Sequence, residues 1–144
     1  MTRNGTILLV EDNQDDVELT LTAFENHHVA SNIVVRRDGE EALNYLFDAE
    51  NRQRPDFPPE VILLDLKLPK VDGFEVLRRV RADERTRRLP VVILTSSNEE
   101  KDLVNSYELG ANSFIRKPVD FMQFNEAARQ LGLYWLVYNE PAPR

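Results

Sequence analysis

Val61-Ile62-Leu63-Leu64-Asp65 places four apolar residues in a row directly before a carboxylate. A branched apolar run without polar alternation is typical of a strand that is buried on both faces of a parallel sheet. Three further runs also lead to reactive side chains: residues 7–10 before Glu11-Asp12, 91–94 before Thr95, and 113–116 before Lys117-Pro118. Because the carboxyl ends of parallel strands share one edge, these side chains are expected to meet in one crevice.

Strand and helix patterns alternate five times along the chain. The predicted strands cover residues 6–10, 33–35, 61–64, 91–94 and 113–116, and an amphipathic helical pattern follows each of them. Repeated units of this kind imply right-handed crossovers. We therefore predict an α/β fold with a doubly wound, five-stranded parallel sheet.

Local signals indicate where several of the predicted elements begin and end. Asp38, with Glu41 three residues later, predicts an N-cap for the second helix. Gly110 predicts the end of the fourth helix. Residues 50–59 contain three prolines and are predicted to form a loop.

Size and composition indicate one soluble globular domain. The chain has 144 residues, a usual domain size. It has no apolar run near the roughly 20 residues that a membrane span needs, and its first residues carry no signal-peptide pattern. The absence of cysteine excludes disulfides and thiolate metal sites. These features favour the cytoplasm.

The formal net charge of -7 argues against a nucleic-acid partner, because phosphate binding needs clustered cations. One local exception is an arginine-rich run at residues 78–88. Such a run indicates a solvated helix end or, alternatively, a docking surface.

Taken together, the motifs resemble the receiver domain of response regulators in two-component signalling. The matched elements occur in one order, each after a predicted strand: Glu11-Asp12, Asp65, Leu68-Pro69 with Asp72-Gly73, Thr95-Ser96 and Lys117-Pro118. The resemblance covers about residues 5–131. It implies the (βα)5 flavodoxin-like receiver fold and a switch that accepts a phosphoryl group from a sensor histidine kinase.

By this resemblance Asp65 is the phosphoacceptor, since a carboxylate can attack phosphorus and form an acyl phosphate. Thr95 and Lys117 are expected to contact the phosphoryl oxygens. The simpler interpretations are that Asp65 caps the following turn, that Thr95 is an ordinary strand residue and that Lys117 is a surface lysine. In the family the Lys117-Pro118 peptide is cis.

Glu11 and Asp12 resemble the acidic pair that binds a divalent cation in the family. With Asp65 and the backbone carbonyl of Lys67 they are expected to hold Mg²⁺, which prefers oxygen ligands. The alternative is that the acidic pair caps the first helix.

Phe114 matches the family's switching aromatic and would turn inward when Thr95 moves toward the phosphoryl group. The alternative is an ordinary half-buried strand aromatic. Lys67 and Ser97 lie at positions that resemble those tuning the lifetime of the phosphoryl group. Lys67 departs from the usual pattern because it is long and cationic.

The sequence suggests a receiver domain at residues 1–131 and an apolar tail at 132–144. The tail contains six consecutive large apolar residues: Leu133, Tyr134, Trp135, Leu136, Val137 and Tyr138. Aromatic residues are enriched at interfaces, so we predict a homodimer through the fifth predicted helix and this tail. The alternative is that the tail folds back over its own domain. With the 50–59 insertion, it resembles single-domain response regulators that partner phytochrome histidine kinases.

The expected output is contact with a downstream protein that the sequence does not name, rather than conventional enzyme activity. A phosphatase of the aspartate-nucleophile type would carry a second Asp where this chain has Lys67. A dinucleotide site would need a glycine-rich turn at residues 11–14, which read Glu-Asp-Asn-Gln. A phosphorylation-independent interaction module is a further alternative.

Overall fold

The computed structural model describes residues 5–27, 32–55, 57–96, 99–117 and 121–132. Five parallel strands form one sheet in the order β2-β1-β3-β4-β5, which confirms the predicted doubly wound topology. The strands are β1 (Thr6–Val10), β2 (Asn32–Arg36), β3 (Val61–Leu64), β4 (Val91–Thr95) and β5 (Ser113–Arg116). Val10 lies beside Leu64 in the register of the sheet, so the residues that follow β1 and β3 emerge next to one another.

Six helices lie among the described residues: α1 (Gln14–His27), α2 (Gly39–Phe47), α3 (Ala49–Arg52), α4 (Gly73–Ala82), α5 (Glu100–Glu108) and α6 (Phe121–Gly132). The short α3 corrects the prediction that residues 50–59 form only a loop. Asp48 explains it, because its side chain accepts a hydrogen bond of 2.8 Å from the backbone N–H of Glu50 and caps the single turn.

The three central strands β1, β3 and β4 are buried on both faces, as their sequence predicts, whereas β2 and β5 are mostly half-buried. Leu8, Ile62 and Ile93 belong to a core cluster that also contains the inner sides of α2 and α4. Their neighbours Ile7, Leu63 and Val92 belong to a second cluster with α1, and α6 packs against α1. The alternation of side chains along a strand therefore supplies both cores from the same short runs.

Both predicted helix-end signals are present in the structure. Asp38 accepts a hydrogen bond of 2.8 Å from the N–H of Glu41 and caps α2. Gly110 follows α5, which is the fourth of the predicted helices. Its φ of 101° is a left-handed conformation that favours glycine. None of the helices in the described ranges combines the length and apolarity needed to cross a bilayer.

The arginine-rich run contains one side chain with a clear structural role. Arg81 donates hydrogen bonds to the carbonyls of Gly110 (2.8 Å), Arg87 (3.0 Å) and Leu89 (2.7 Å) and to the side-chain oxygen of Asn112 (2.8 Å). It therefore joins the end of α4 to the segments that precede β4 and β5.

Two glycines allow the backbone between β3 and α4 to pack closely against the first turns of α2 and α4. A Cβ at Gly39 would lie 1.8 Å from the carbonyl oxygen of Val71, and a Cβ at Gly73 would lie 2.2 Å from that of Asp65. The N–H of Gly73 also donates to the carbonyl of Leu66 at 2.8 Å. The N-termini of α2 and α4 thus fix the backbone that follows β3.

We predict that Gly73→Ala destabilises the protein by roughly 2 kcal/mol or more, because the added methyl forces the backbone at Asp65 to move. Urea unfolding would measure the change. Arg79→Ala on the exposed side of the same helix is the control, and it removes only a surface ion pair with Glu75. Equal unfolding free energies for the two variants would contradict the close contact.

Candidate functional site

Two buried carboxylates lie side by side at the carboxyl edge of the sheet. The N–H of Glu11 donates to the carbonyl of Arg36 at 3.0 Å, and the N–H of Asp65 donates to the carbonyl of Val10 at 3.1 Å. These bonds extend the ladders of β1 and β3 by one residue each. Both carboxylates are therefore placed by backbone pairing.

Asp12 completes an acidic cluster with Glu11 and Asp65. Each of the three offers one carboxylate oxygen, and these oxygens lie within 4.8 Å of one another. Asp12 is exposed, whereas the other two are buried. A set of oxygen ligands with one side open to solvent suits a hard divalent cation that retains water, such as Mg²⁺ or Mn²⁺.

Lys117 brings a cation into the same cluster from the end of β5. Its backbone N–H donates to the carbonyl of Thr95 at 2.8 Å, which fixes it beside β4. Its ammonium group donates to Glu11, to Asp16 at 2.7 Å and to Asp65 at 3.3 Å. With its side chain only 8% exposed, this is not an ordinary surface lysine.

Asp16 is the site residue that the sequence reasoning missed. It lies in the first turn of α1, where an acidic side chain is commonly explained by the helix dipole. The sequence signal was the presence of four acidic residues at positions 11–16, which cannot by itself show which carboxylate reaches Lys117.

Burial and the neighbouring charges shift two pKa values in the site. Burial is the largest cause that raises the pKa of Glu11, and the charge of Asp65 adds to it, so that the pKa reaches about 7 although Lys117 opposes the shift. Burial lowers the pKa of Lys117, but hydrogen bonds to Asp16 and Glu11 and the nearby negative charges outweigh it and raise the pKa above its ordinary value. Lys117 therefore stays charged.

The acids and the lysine line an open cleft of about 530 Å³. Lys67, Asp15 and Ser96 contribute to its walls. Thr95 is buried at the end of β4, and Phe114 is half-buried on β5 and packs against the first core cluster. This packing fits the simpler interpretation of Phe114 as a strand aromatic, and its switching role stays a prediction.

The alternative that the acidic pair caps α1 is wrong, whereas Asp65 does bond the backbone of the turn that follows it. Asn13, rather than Glu11 or Asp12, caps α1, because its side-chain oxygen accepts the N–H of Asp16 at 3.1 Å. Asp65 accepts the N–H of Leu66 at 2.7 Å through one carboxylate oxygen, while the other faces Lys117.

Several predicted features lie outside the described residues. They are the cis Lys117-Pro118 peptide, Ser97 and the six tail residues Leu133, Tyr134, Trp135, Leu136, Val137 and Tyr138. Their predicted roles stay predictions.

Comparison with known families gives a match over most of the chain. The family described as "Response regulator receiver domain" matches residues 7–129. Among curated relatives, the probable methanogenesis regulatory protein FilR2 of Methanothrix harundinacea is 42% identical over 95% of this chain and 88% of its own length. Response regulator Rcp1 of Synechocystis sp. is 35% identical over 90% of this chain and 88% of its own.

Solved structures extend the similarity to three dimensions. The bacteriophytochrome response regulator AtBRR is 55% identical, with a TM-score of 0.74 over 96% of this chain and 100% of that one. The phosphorylated cyanobacterial phytochrome response regulator RcpA is 36% identical, with a TM-score of 0.86 over 97% and 99%. The Mn²⁺-bound form of Rcp1 is 33% identical, with a TM-score of 0.87 over 96% and 99%.

The raised pKa of Glu11 predicts a pH dependence of stability in metal-free solution. Folding raises this pKa from 4.5 to about 7, so the stabilising contribution of the protonated form is complete below pH 4.5 and is lost as the pH rises to about 7. Relative to wild type, Glu11→Gln should gain roughly 1–3 kcal/mol of unfolding free energy between pH 4.5 and pH 8.

Urea unfolding in the presence of EDTA measures this difference. Glu40→Gln, at an exposed position in the first turn of α2, is the matched control for loss of one negative charge. If both variants follow the same pH curve relative to wild type, burial at Glu11 is not the cause.

Proposed function

Because this chain belongs to the response regulator receiver family of two-component signalling, we propose that it accepts a phosphoryl group on Asp65 from a sensor histidine kinase. The observation that carries the proposal is the cleft in which the Asp65 carboxylate lies beside the Lys117 ammonium and the acidic cluster. A nucleophile, a fixed cation and a set of metal ligands are the groups that phosphoryl transfer to a carboxylate requires.

In the proposed reaction a carboxylate oxygen of Asp65 attacks phosphorus and forms a new P–O bond. The P–N bond to the kinase histidine breaks, and its electron pair stays on the imidazole nitrogen. Lys117 and Thr95 bind phosphoryl oxygens and stabilise their charge. Catalysis of this kind depends on positioning and electrostatics, so the chain acts as a self-phosphorylating switch rather than a conventional enzyme.

We propose Mg²⁺ as the cation of the acidic cluster. Glu11, Asp12 and Asp65 fit a hard cation because each offers a carboxylate oxygen, and these oxygens lie within 4.8 Å of one another. The backbone carbonyl of Lys67 is proposed as a further ligand. When bound, the cation offsets repulsion between Asp65 and the incoming phosphoryl group. The similar protein Rcp1 has been solved in a Mn²⁺-bound form, which supports the proposal of a divalent metal for this chain.

The proposed response to phosphorylation lies in β4 and β5. Thr95 would move toward the phosphoryl group, and Phe114 would fill the space it leaves. Such a packing change is an established way for a new local charge to alter a distant surface. The pairing of β4 with β5 supports the proposal, because it places Thr95 and Phe114 on adjacent strands.

We further propose a phytochrome-type kinase as partner, a location in the cytoplasm and output through contact with a downstream protein. Phytochrome response regulators among the similar structures support this kind of kinase. Residues 1–131 would form the receiver, and the tail at 132–144 would form a homodimer through residues 133–138. Its six consecutive large apolar residues support an interface.

We predict that acetyl phosphate with Mg²⁺ adds one phosphoryl group to the wild-type chain and none to Asp65→Asn. Intact mass measures the addition, and omission of Mg²⁺ is the second control. Sizing of the same samples tests the dimer and its response. A wild-type chain that gains no phosphoryl group with acetyl phosphate or with a phosphorylated kinase would favour the phosphorylation-independent interaction module.

Lys67 is predicted to lengthen the lifetime of the acyl phosphate. It is exposed on the wall of the cleft, two residues after Asp65, where its side chain can restrict the approach of water. Lys67→Ala should speed dephosphorylation roughly three- to tenfold, or about 0.7–1.4 kcal/mol of barrier. The measurement is loss of phosphoprotein with time. Lys70→Ala, at an exposed lysine of the same loop, is the control, and an unchanged rate in Lys67→Ala would refute the role.

A further inference from the structure

We propose that Asp16 is a positioning residue, which draws the ammonium of Lys117 toward α1 and so limits its competition with a divalent cation for the oxygens of Glu11 and Asp65. This inference deepens the proposed function of the cleft and rests on it. It assigns a role to a carboxylate that lies outside the acidic cluster of Glu11, Asp12 and Asp65.

The geometry of the ammonium group is the first support. An ammonium has three N–H donors, and those of Lys117 are directed to Glu11, Asp16 and Asp65. The bond to Asp16 is 2.7 Å and that to Asp65 is 3.3 Å. Asp16 is thus a close partner of Lys117 that does not compete for the metal position.

The local structure of α1 leaves the Asp16 carboxylate free for this role. Asn13 caps the helix by accepting the backbone N–H of Asp16, and the backbone carbonyl of Asp16 accepts the hydroxyl of Thr20 at 2.8 Å. Both bonds fix the backbone without using the side chain. The carboxylate can therefore bind Lys117 from a rigid helical turn.

Loss of Asp16 would redistribute the contacts of Lys117. The side chain is a flexible stem with a point charge, and without Asp16 its described carboxylate partners would be Glu11 and Asp65. An ammonium bound closely to both competes directly with a cation that needs the same oxygens. The expected result is a weaker metal site with the metal ligands themselves intact.

Asp15 provides a matched control. It lies next to Asp16 in the same helical turn, is exposed and lines the same cleft. The described contacts of the Lys117 ammonium do not include it. Asp15→Asn and Asp16→Asn therefore remove the same charge from nearly the same place, and only Asp16→Asn removes an ion pair with Lys117, since the asparagine oxygen is a neutral acceptor.

The experiment is calorimetric titration of the full chain with Mn²⁺ alone, at one pH and ionic strength. Asp16→Asn should bind Mn²⁺ roughly tenfold more weakly than Asp15→Asn, as expected when a partner that orients a metal site is lost. The two substitutions are then repeated in a Lys117→Ala background, where their affinities should be equal. The pair Asp15→Ala and Asp16→Ala repeats the comparison if an asparagine variant folds poorly.

A spectroscopic measurement follows the ammonium directly. The ¹⁵Nζ resonance of Lys117, assigned by its loss in Lys117→Ala, should keep its position in Asp15→Asn and shift or broaden in Asp16→Asn. If Asp16 acted only by stabilising α1, its substitution would not change the resonance of Lys117 specifically.

Equal Mn²⁺ affinities of Asp15→Asn and Asp16→Asn would overturn the inference, because charge alone would then explain the effect. A difference that persists without Lys117 would also overturn it, since Asp16 would then act on the metal directly. The two proposals can also fail separately. If the difference in Mn²⁺ affinity requires Lys117 but acetyl phosphate does not phosphorylate the chain, the positioning role is supported and the proposed phosphoryl transfer is not.

Discussion

One ammonium group balances carboxylates that would otherwise repel one another. Parallel pairing brings the ends of β1 and β3 together, so Glu11 and Asp65 are buried side by side, and burial of like charges is costly without a counterion. Lys117 supplies that counterion from β5 and also reaches Asp16 on α1. The charge of Lys117 opposes the rise that burial and Asp65 cause in the pKa of Glu11, and its ammonium donates to one carboxylate oxygen of Asp65. The site is therefore a shared property of three strands and a helix.

The order of the strands divides the sheet into two unequal parts around this cluster. Toward β2, the backbone of Glu11 is paired with Arg36, and regular hydrogen bonds continue the sheet. Toward β5, the contacts are a buried hydroxyl at Thr95, the half-buried ring of Phe114 and the backbone bond between Lys117 and Thr95. Both sides are regular parallel ladders, and the β5 side differs in carrying the hydroxyl of Thr95 and the ring of Phe114. These are the side chains through which we propose that a change of charge at Asp65 acts.

The fold and most of the candidate site were predictable because their signals are local and repeated. Each buried strand is a short apolar run, each ends at a reactive residue, and parallel topology brings those ends together. The contact between Asp16 and Lys117 was not predictable, since it joins residues 101 positions apart through side-chain geometry. The turn of α3 was missed for another reason, because its cap at Asp48 is a single residue just before a segment that contains three prolines. Sequence patterns locate elements well, but they do not select among neighbouring carboxylates.

Arg81 has a consequence for the order in which the chain becomes stable. Its acceptors at Arg87 and Leu89 are close in sequence, but those at Gly110 and Asn112 lie 29 and 31 residues away. Until the segment before β5 has docked, a partly buried guanidinium lacks two of these acceptors, and an unpaired buried donor carries a desolvation cost. The first four strands alone therefore leave Arg81 without two of its acceptors. Docking of the last strand supplies them at the amino-terminal edge of the sheet and places Lys117 at the carboxyl-terminal edge, so one strand completes both the fold and the site.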